Sequence, residues 1–296
     1  MKICALTMVY CDHWALSQWY MHYGRQLGVE NLYIIAHGRD DRIDDICPGA
    51  NVITIPRDDL NRFDWSHGEV LNEFQVSLIQ TYDWVIRTDT DELICLDPTH
   101  YPNFEALFSK RWGPAVFALG LEVAEQAGEQ PVNMNTPVLT ERSAAIFSGH
   151  YSKAWAVNSI TRLVRHGVEV GKRRALRVNF TIPEGVYLVH LKYADLAALA
   201  QANTHRVEVA TAKGKAMPGA AWLDPEKADN KFFRKFQSFP SKSWEYARKE
   251  AYDQISADPI REVDTGIVRA RSHRFENRTT LPGWFKTMVQ IKLRER

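Results

Sequence analysis

Over the first hundred residues, short apolar runs alternate with longer stretches in which apolar side chains recur every three or four positions. Residues 2 to 9, Lys-Ile-Cys-Ala-Leu-Thr-Met-Val, read as a buried first strand. Asp12 is placed to cap a helix running through about Leu27, where Gly28 ends it. A second strand is expected over Asn31 to Ala36, then a short helix near Ile43 to Cys47 that Pro48 and Gly49 terminate. Asn51 to Ile55 gives a third strand, and Ser66 is placed to cap a helix from about His67 to Gln80. The fourth strand holds Trp84, Val85 and Ile86, and it is expected to stop at the polar residues that follow. Such alternation predicts an α/β fold: a mostly parallel sheet covered by helices on both faces, with ligands at the carboxyl ends of the strands.

Further on the pattern loosens. A helix is expected around Phe104 to Lys110, with strands near Ala115 to Leu119, Ser143 to Phe147, Lys153 to Val157 and Val186 to His190. Glu122 to Thr140 is rich in Gly, Pro, Asn and Gln and reads as a mobile loop or hairpin, of a length that usually belongs to a site. From Asp195 the composition turns helical, over Leu196 to Ala212, Lys231 to Phe236 and Ser243 to Ile255. These patterns divide the chain into a sheet-containing unit over 1–193 and a helical C-terminal extension over 194–296, packed on or beside it. The last segment carries Arg269, Arg271, Arg274, Arg278, Lys286, Lys292, Arg294 and Arg296, with Phe275, Trp284 and Phe285 between them. It reads either as a helix packed on the domain with its cations in water, or as a surface for a membrane or a phosphorylated acceptor.

Composition narrows the class. At 296 residues there is enough chain for a sizeable core, and a net charge of +1 implies neither nucleic acid nor an anionic membrane as a partner. The four cysteines form no C-x-x-C pair, so a zinc site is not expected. No run reaches the roughly 18 apolar residues of a membrane span. The expectation is a soluble protein of a reducing, cytoplasmic compartment, with the basic segment as its candidate peripheral contact at the inner membrane face.

The chemistry is concentrated in Asp89-Thr90-Asp91-Glu92, where an apolar run ends in three carboxylates. If the backbone stays extended, Asp89 and Asp91 leave the same side and reach one divalent ion or its bound phosphate. Two like charges so close also favour a cation between them. An isolated Asp-x-Asp is more often a solvated turn, so the surrounding residues decide.

Those residues are Ala5 to Tyr10, Leu27-Gly28-Val29, the Gly38 to Asp41 loop, the Gly68 to Asn72 helix start and Asp89 to Glu92. In them the first 100 or so residues resemble the Rossmann-like nucleotide-binding part of a GT-A glycosyltransferase, close to the family 2 type group. Later only Lys153 and His190-Leu191-Lys192-Tyr193 are similar to that family. The resemblance implies a hexosyltransferase-like, inverting reaction in which a nucleotide-sugar donates to a glycan, lipid-linked or surface-polysaccharide acceptor. It implies Asp89 and Asp91 beside the diphosphate, Asp91 as the more direct ligand of Mn2+ or Mg2+, and His190 completing the metal sphere. An Asp, Asp, His set suits Mn2+ better than Mg2+, imidazole being the softer donor. Tyr10 is implied at the base, Asp40 or Asp41 at the base or ribose, and Arg62 and Lys153 at the diphosphate. Glu122, with Glu125 as a second candidate, is implied as the carboxylate that takes the acceptor hydroxyl's proton.

Two departures from the family pattern stand out. Ala36-His37-Gly38-Arg39-Asp40-Asp41 replaces an Asn or Asp followed by Gly-Ser, and Arg87-Thr88 replaces apolar residues before the acids. Competing readings are a carbohydrate or nucleotide-sugar binding module without turnover, for which the nine tryptophans offer stacking surfaces, and a phosphatase using the Asp pair. A sugar nucleotidyltransferase would want a Gly-rich loop where Tyr10-Cys11-Asp12-His13 stands.

Overall fold

The computed structural model describes residues 1–57, 63–164, 166–212 and 222–287. Its first part follows the sequence pattern closely: β1 (Ile3–Val9), α1 (His13–Leu27), β2 (Leu32–His37), α2 (Arg42–Ile46), β3 (Asn51–Ile55), α3 (Phe63–Ile79) and β4 (Trp84–Arg87). The Asp12 carboxylate accepts from the Ala15 N–H at 3.3 Å to start α1, and Gly28, at φ +87°, lets the chain leave it. Trp19 and Tyr23 on one face of α1 are wholly buried. The helix α3 begins before Ser66, so that residue lies inside it and is not its cap.

Beyond β4 the chain changes sheets. The strand β5 (Glu92–Leu96) is buried along its whole length, the charged first residue included. The expectation that the acids end a core strand is therefore half met: β4 stops at Arg87, yet the chain re-enters the core five residues later instead of passing to solvent. There follow α4 (Phe104–Phe108), β6 (Ala115–Phe117), β7 (Leu119–Ala124), α5 (Val138–Glu141), β8 (Ala144–Phe147), β9 (Ala154–Val157), β10 (Arg162–Val164), β11 (Gly167–Glu169), α6 (Lys172–Ala175) and β12 (Val186–Tyr193). The last part holds α7 (Leu196–Thr211), α8 (Pro225–Ser238), α9 (Trp244–Ser256), β13 (Ile260–Glu262), β14 (Ile267–Arg269), β15 (Thr279–Thr280) and α10 (Trp284–Thr287).

The architecture is mixed α/β, with three sheets among the described residues. The first has order β3-β2-β1-β4-β9-β6; its β3, β2, β1 and β4 are parallel, while β9 runs against both β4 and β6. The second, β15-β8-β7-β12-β5, is parallel only between β7 and β12. The third, β10-β11-β14-β13, is antiparallel.

Two expectations are refined here. Of the mobile loop or hairpin expected over Glu122 to Thr140, the structure has the hairpin: β7 pairs antiparallel with β8, Glu122 itself lies in β7, and the long connection is tied down at both ends. Asp195 accepts from the Val132 N–H at 2.6 Å, Gln18 accepts from the Val138 N–H at 2.8 Å, and the buried Arg142 donates to the carbonyls of Gln130 and Ala194, each at 2.7 Å. The segment after residue 193 is also more than a helical extension, because β14 pairs with β11 and β15 with β8. Phe275 and Phe285 are buried and Arg269 pairs with Glu262 at 2.9 Å, so the described part of the basic segment packs on the domain. Lys292, Arg294 and Arg296 lie outside the described residues. Among the described residues, no helix is long and apolar enough to cross a membrane.

Candidate functional site

The four residues between β4 and β5 carry the chain from one sheet to another, so the acids sit at the carboxyl end of β4, on the wall of a cleft of about 1650 Å³. Thr88 and Thr90 turn inward, and the Thr88 hydroxyl accepts from the Trp19 indole N–H at 2.9 Å. Asp89 and Asp91 both line the cleft, but they engage different partners.

Asp89 belongs to a triplet centred on a lysine. Lys153 Nζ lies 2.9 Å from Asp89 Oδ2 and 2.7 Å from Glu92 Oε1, and Glu92 Oε2 accepts from the Asp89 N–H at 3.1 Å. Two acids sharing one cation are driven apart in acidity. The Lys153 ammonium holds Asp89, whose side chain is 62% exposed to the cleft, below the usual carboxylate range. Burial pushes Glu92 up to about 7 against the pull of Lys153. Burial also works against the charge on Lys153, but Asp89 and Glu92 outweigh it and raise the ammonium above its ordinary value.

Asp91 belongs to a triplet centred on a histidine. In the second sheet Glu92, His190 and Glu122 stand directly opposite one another on β5, β12 and β7, so their side chains leave one face as a row. His190 Nε2 lies 3.2 Å from Asp91 Oδ2, and Nδ1 faces Glu122 Oε1 at a looser 3.5 Å. The Tyr151 ring stacks on the imidazole with centroids 3.7 Å apart. Burial pulls His190 down, yet Asp91 and Glu122 overcome it and raise the imidazole to about 9. Burial would likewise raise Asp91, but His190, Arg206 and Lys153 hold it well below its ordinary range. The Arg206 guanidinium reaches from α7 to within 3.8 Å of Asp91. Burial and the nearby Asp91 push Asp12 up to about 6.

Both triplets depend on a close backbone crossing. A Cβ on Gly120 would stand 2.2 Å from the Tyr151 carbonyl carbon, so residues 151 and 152 lie directly on β7, where the Gly120 N–H donates to the Ser152 hydroxyl at 2.8 Å. That crossing sets Tyr151 on His190 and, two residues on, Lys153 between Asp89 and Glu92.

Of the residues expected at the site, Tyr10, Asp89, Asp91, Glu122, Lys153 and His190 all line the cleft. Lys153 is already committed to two acids, and one face of Tyr10 is covered by the Arg57 guanidinium at 3.4 Å. Asp40 and Asp41 are not brought to the cleft. Asp40 pairs with His13 at 2.6 Å, and Asp41, its side chain 80% exposed, pairs with Arg39 at 2.9 Å. Glu125 is also spent elsewhere, on Arg142 and on the Leu196 N–H. Arg62 lies outside the described residues. Sequence reasoning missed Arg57, Tyr151, His205 and Arg206. His205 meets the Tyr10 ring edge-on at 5.2 Å, and with Arg206 it comes from a helix that no local signal connects to the acids.

Among the described residues no group of three or more His, Cys, Asp and Glu side chains is placed to hold a metal ion on its own. Asp91 Oδ2 and His190 Nε2 face each other at 3.2 Å, a spacing that two ligands of one ion can take, and Glu122 faces the other ring nitrogen at 3.5 Å. Asp89, the third ligand expected, is drawn to Lys153.

Neither a protein-family model nor a curated protein sequence matches the chain. Solved structures similar to it include CMP:2-keto-3-deoxy-manno-octonic acid synthetase complexed with CTP, at a TM-score of 0.29 and 11% identity over 79% of this chain and 86% of that one. Residues 1–349 of TarS from S. aureus give 0.31 and 9% over 73% and 67%. Mannose-1-phosphate geranyltransferase from Thermus thermophilus gives 0.29 and 12% over 95% and 74%. Likeness at these scores carries no functional argument.

Proposed function

We propose that the chain is a metal-dependent glycosyltransferase of the GT-A kind, acting at the cytoplasmic face and moving a sugar with inversion from a nucleotide-sugar to a hydroxyl of a glycan, lipid-linked or surface-polysaccharide acceptor. The observation that carries this reading is the meeting of Asp91 and His190 at 3.2 Å on the cleft wall, just past the carboxyl end of a parallel strand. These two residues would hold Mn2+ or Mg2+. When bound, such an ion offsets the negative charge that develops on a departing nucleoside diphosphate.

The chain's own groups divide the remaining work. Arg206 adds a fixed cation beside the diphosphate, and Tyr10, flanked by Arg57 and His205, marks the end of the cleft that would receive the nucleoside. Glu122 keeps one oxygen on the imidazole, and its second oxygen takes the acceptor hydroxyl's proton as C1 is attacked.

The test combines binding with turnover. The right nucleoside diphosphate, or its sugar, raises the melting temperature of the wild type with Mn2+ present. Asp91→Asn lowers hydrolysis of that nucleotide-sugar by about 10²- to 10³-fold, the usual size for loss of one preorganised electrostatic group. Binding without release of nucleoside diphosphate would instead identify a binding module, and no thermal shift with any nucleotide would remove the reading altogether.

A further inference from the structure

A second wall of the same cleft has a different character. On α8 and its C-cap, Ala228, Lys231, Phe232, Lys235, Phe236 and Phe239 line it, a spacing of three and four that puts them on one helical face. That face is locked to the strand bearing His190. Phe232 stacks on Tyr193 with centroids 3.6 Å apart, and Asp229 pairs with Lys192 at 2.9 Å. Lys231 and Lys235 are exposed on this face, one turn apart and so about 6 Å along the axis. Arg274, exposed after β14, lines the same cleft.

These three cations differ from those near the acids. Lys153, Lys192 and Arg206 each lie beside a carboxylate, whereas among the described residues Lys231, Lys235 and Arg274 have no carboxylate within ion-pair distance. Glu276 follows Arg274 in the lining, while on α8 itself the lining residues carry Lys231 and Lys235 and no acid, which leaves that wall with an excess of positive charge. A lysine on an outer helical face is ordinarily just solvated. Here the lysines alternate with phenylalanines on the face turned to the cleft, so a ligand lying on it meets positive charge and apolar surface together.

We infer that this wall of the cleft is the acceptor subsite and that the acceptor carries an anionic group, phosphate or carboxylate, close to the hydroxyl that receives the sugar. Its assignment to the acceptor rests on the glycosyltransferase reading, but the anion site stands on its own residues. Lysine ammonium groups serve as point charges for such an anion, Arg274 offers paired donors, and the Phe232 and Phe239 rings give a sugar an apolar surface.

Titration calorimetry on the full chain with methyl glucoside, methyl glucoside 6-phosphate and methyl glucuronoside tests this without any turnover. The two charged probes are expected to bind about tenfold or more tightly than the neutral one, with the preference shrinking as salt is raised. Lys231→Gln combined with Lys235→Gln and Arg274→Gln should abolish that preference at an unchanged melting temperature, and Lys235→Glu alone should weaken it. Equal binding of charged and neutral probes, no binding of either charged probe, or a preference that survives in the triple variant would each overturn the inference. If donor hydrolysis fails but the preference holds, the glycosyltransferase reading falls and the anion site stays. If hydrolysis holds and the preference is absent, only the acceptor inference falls.

Discussion

The two acid triplets lie side by side and share Lys153 and Asp91 electrostatically, yet they are built around different bases. Lys153 sits between Asp89 and Glu92 as a buried ammonium whose proton its partners hold in place. His190 sits between Asp91 and Glu122 as a ring that can carry a proton on Nε2 or offer a lone pair from the same atom. The first arrangement suits a permanent lock on the turn from β4 to β5. The second can exchange a proton for another cation at Nε2, which is what the proposed function asks of it.

The largest expected effect breaks the lock. Lys153→Ala strands Glu92 in the core and is expected to cost about 3–5 kcal/mol in urea unfolding, the range for removing one partner of a buried pair. Adding Glu92→Gln should recover much of the loss, because the uncompensated charge is then gone. A small cost from Lys153→Ala alone would mean that the two triplets are not different in kind.

Smaller is the effect of loosening the ring. Glu122→Gln keeps the shape but removes the charge facing His190 Nδ1, and a 10- to 100-fold drop in Mn2+ affinity is expected by direct metal titration in the presence of nucleoside diphosphate. An unchanged affinity would deny Glu122 its orienting role.

His22 supplies a reference for both, since it is buried against the Ile94 carbonyl at 2.8 Å with no carboxylate on its ring among the described residues. Burial pushes it down to about 4, the opposite of His190. Because the folded value lies below the unfolded one near 6.5, the unfolded chain takes up the proton first, and stability falls as pH drops from about 6.5 to 4. The His22→Gln variant should lose this part of the acid dependence, flattening the slope by at most about 1.4 kcal/mol per pH unit in denaturant midpoints measured across that window. Parallel pH profiles for variant and wild type would count against a neutral, buried His22.

Much of the framework was legible because it is local. The run from Ile3 to Val9, the Asp12 cap, Gly28 and the short strand before Asp89 each announce themselves within a few residues. The pairing of Asp91 with His190 was only implied, by resemblance to a family, because it depends on β5 and β12 meeting in register 98 residues apart, as His190 opposite Glu92 records. The strand β5 itself was hidden by its charged first residue, whose burial makes sense only once Lys153 is beside it. Asp40 and Asp41 misled for a related reason: nothing nearby in the chain reveals that His13 and Arg39 take them. Arg206 gave no signal at all, since an arginine on an Ala-rich helix is ordinary until the helix is docked.

The bare backbone at Gly120 ties these two centres into one fulcrum. Any side chain there would lift the Tyr151–Ser152 segment by an ångström or more, unstacking the imidazole and drawing the ammonium off its acids in the same motion. Fold stability and the arrangement of the cleft wall therefore share a single point of failure, far too small to be noticed among the charged residues it aligns.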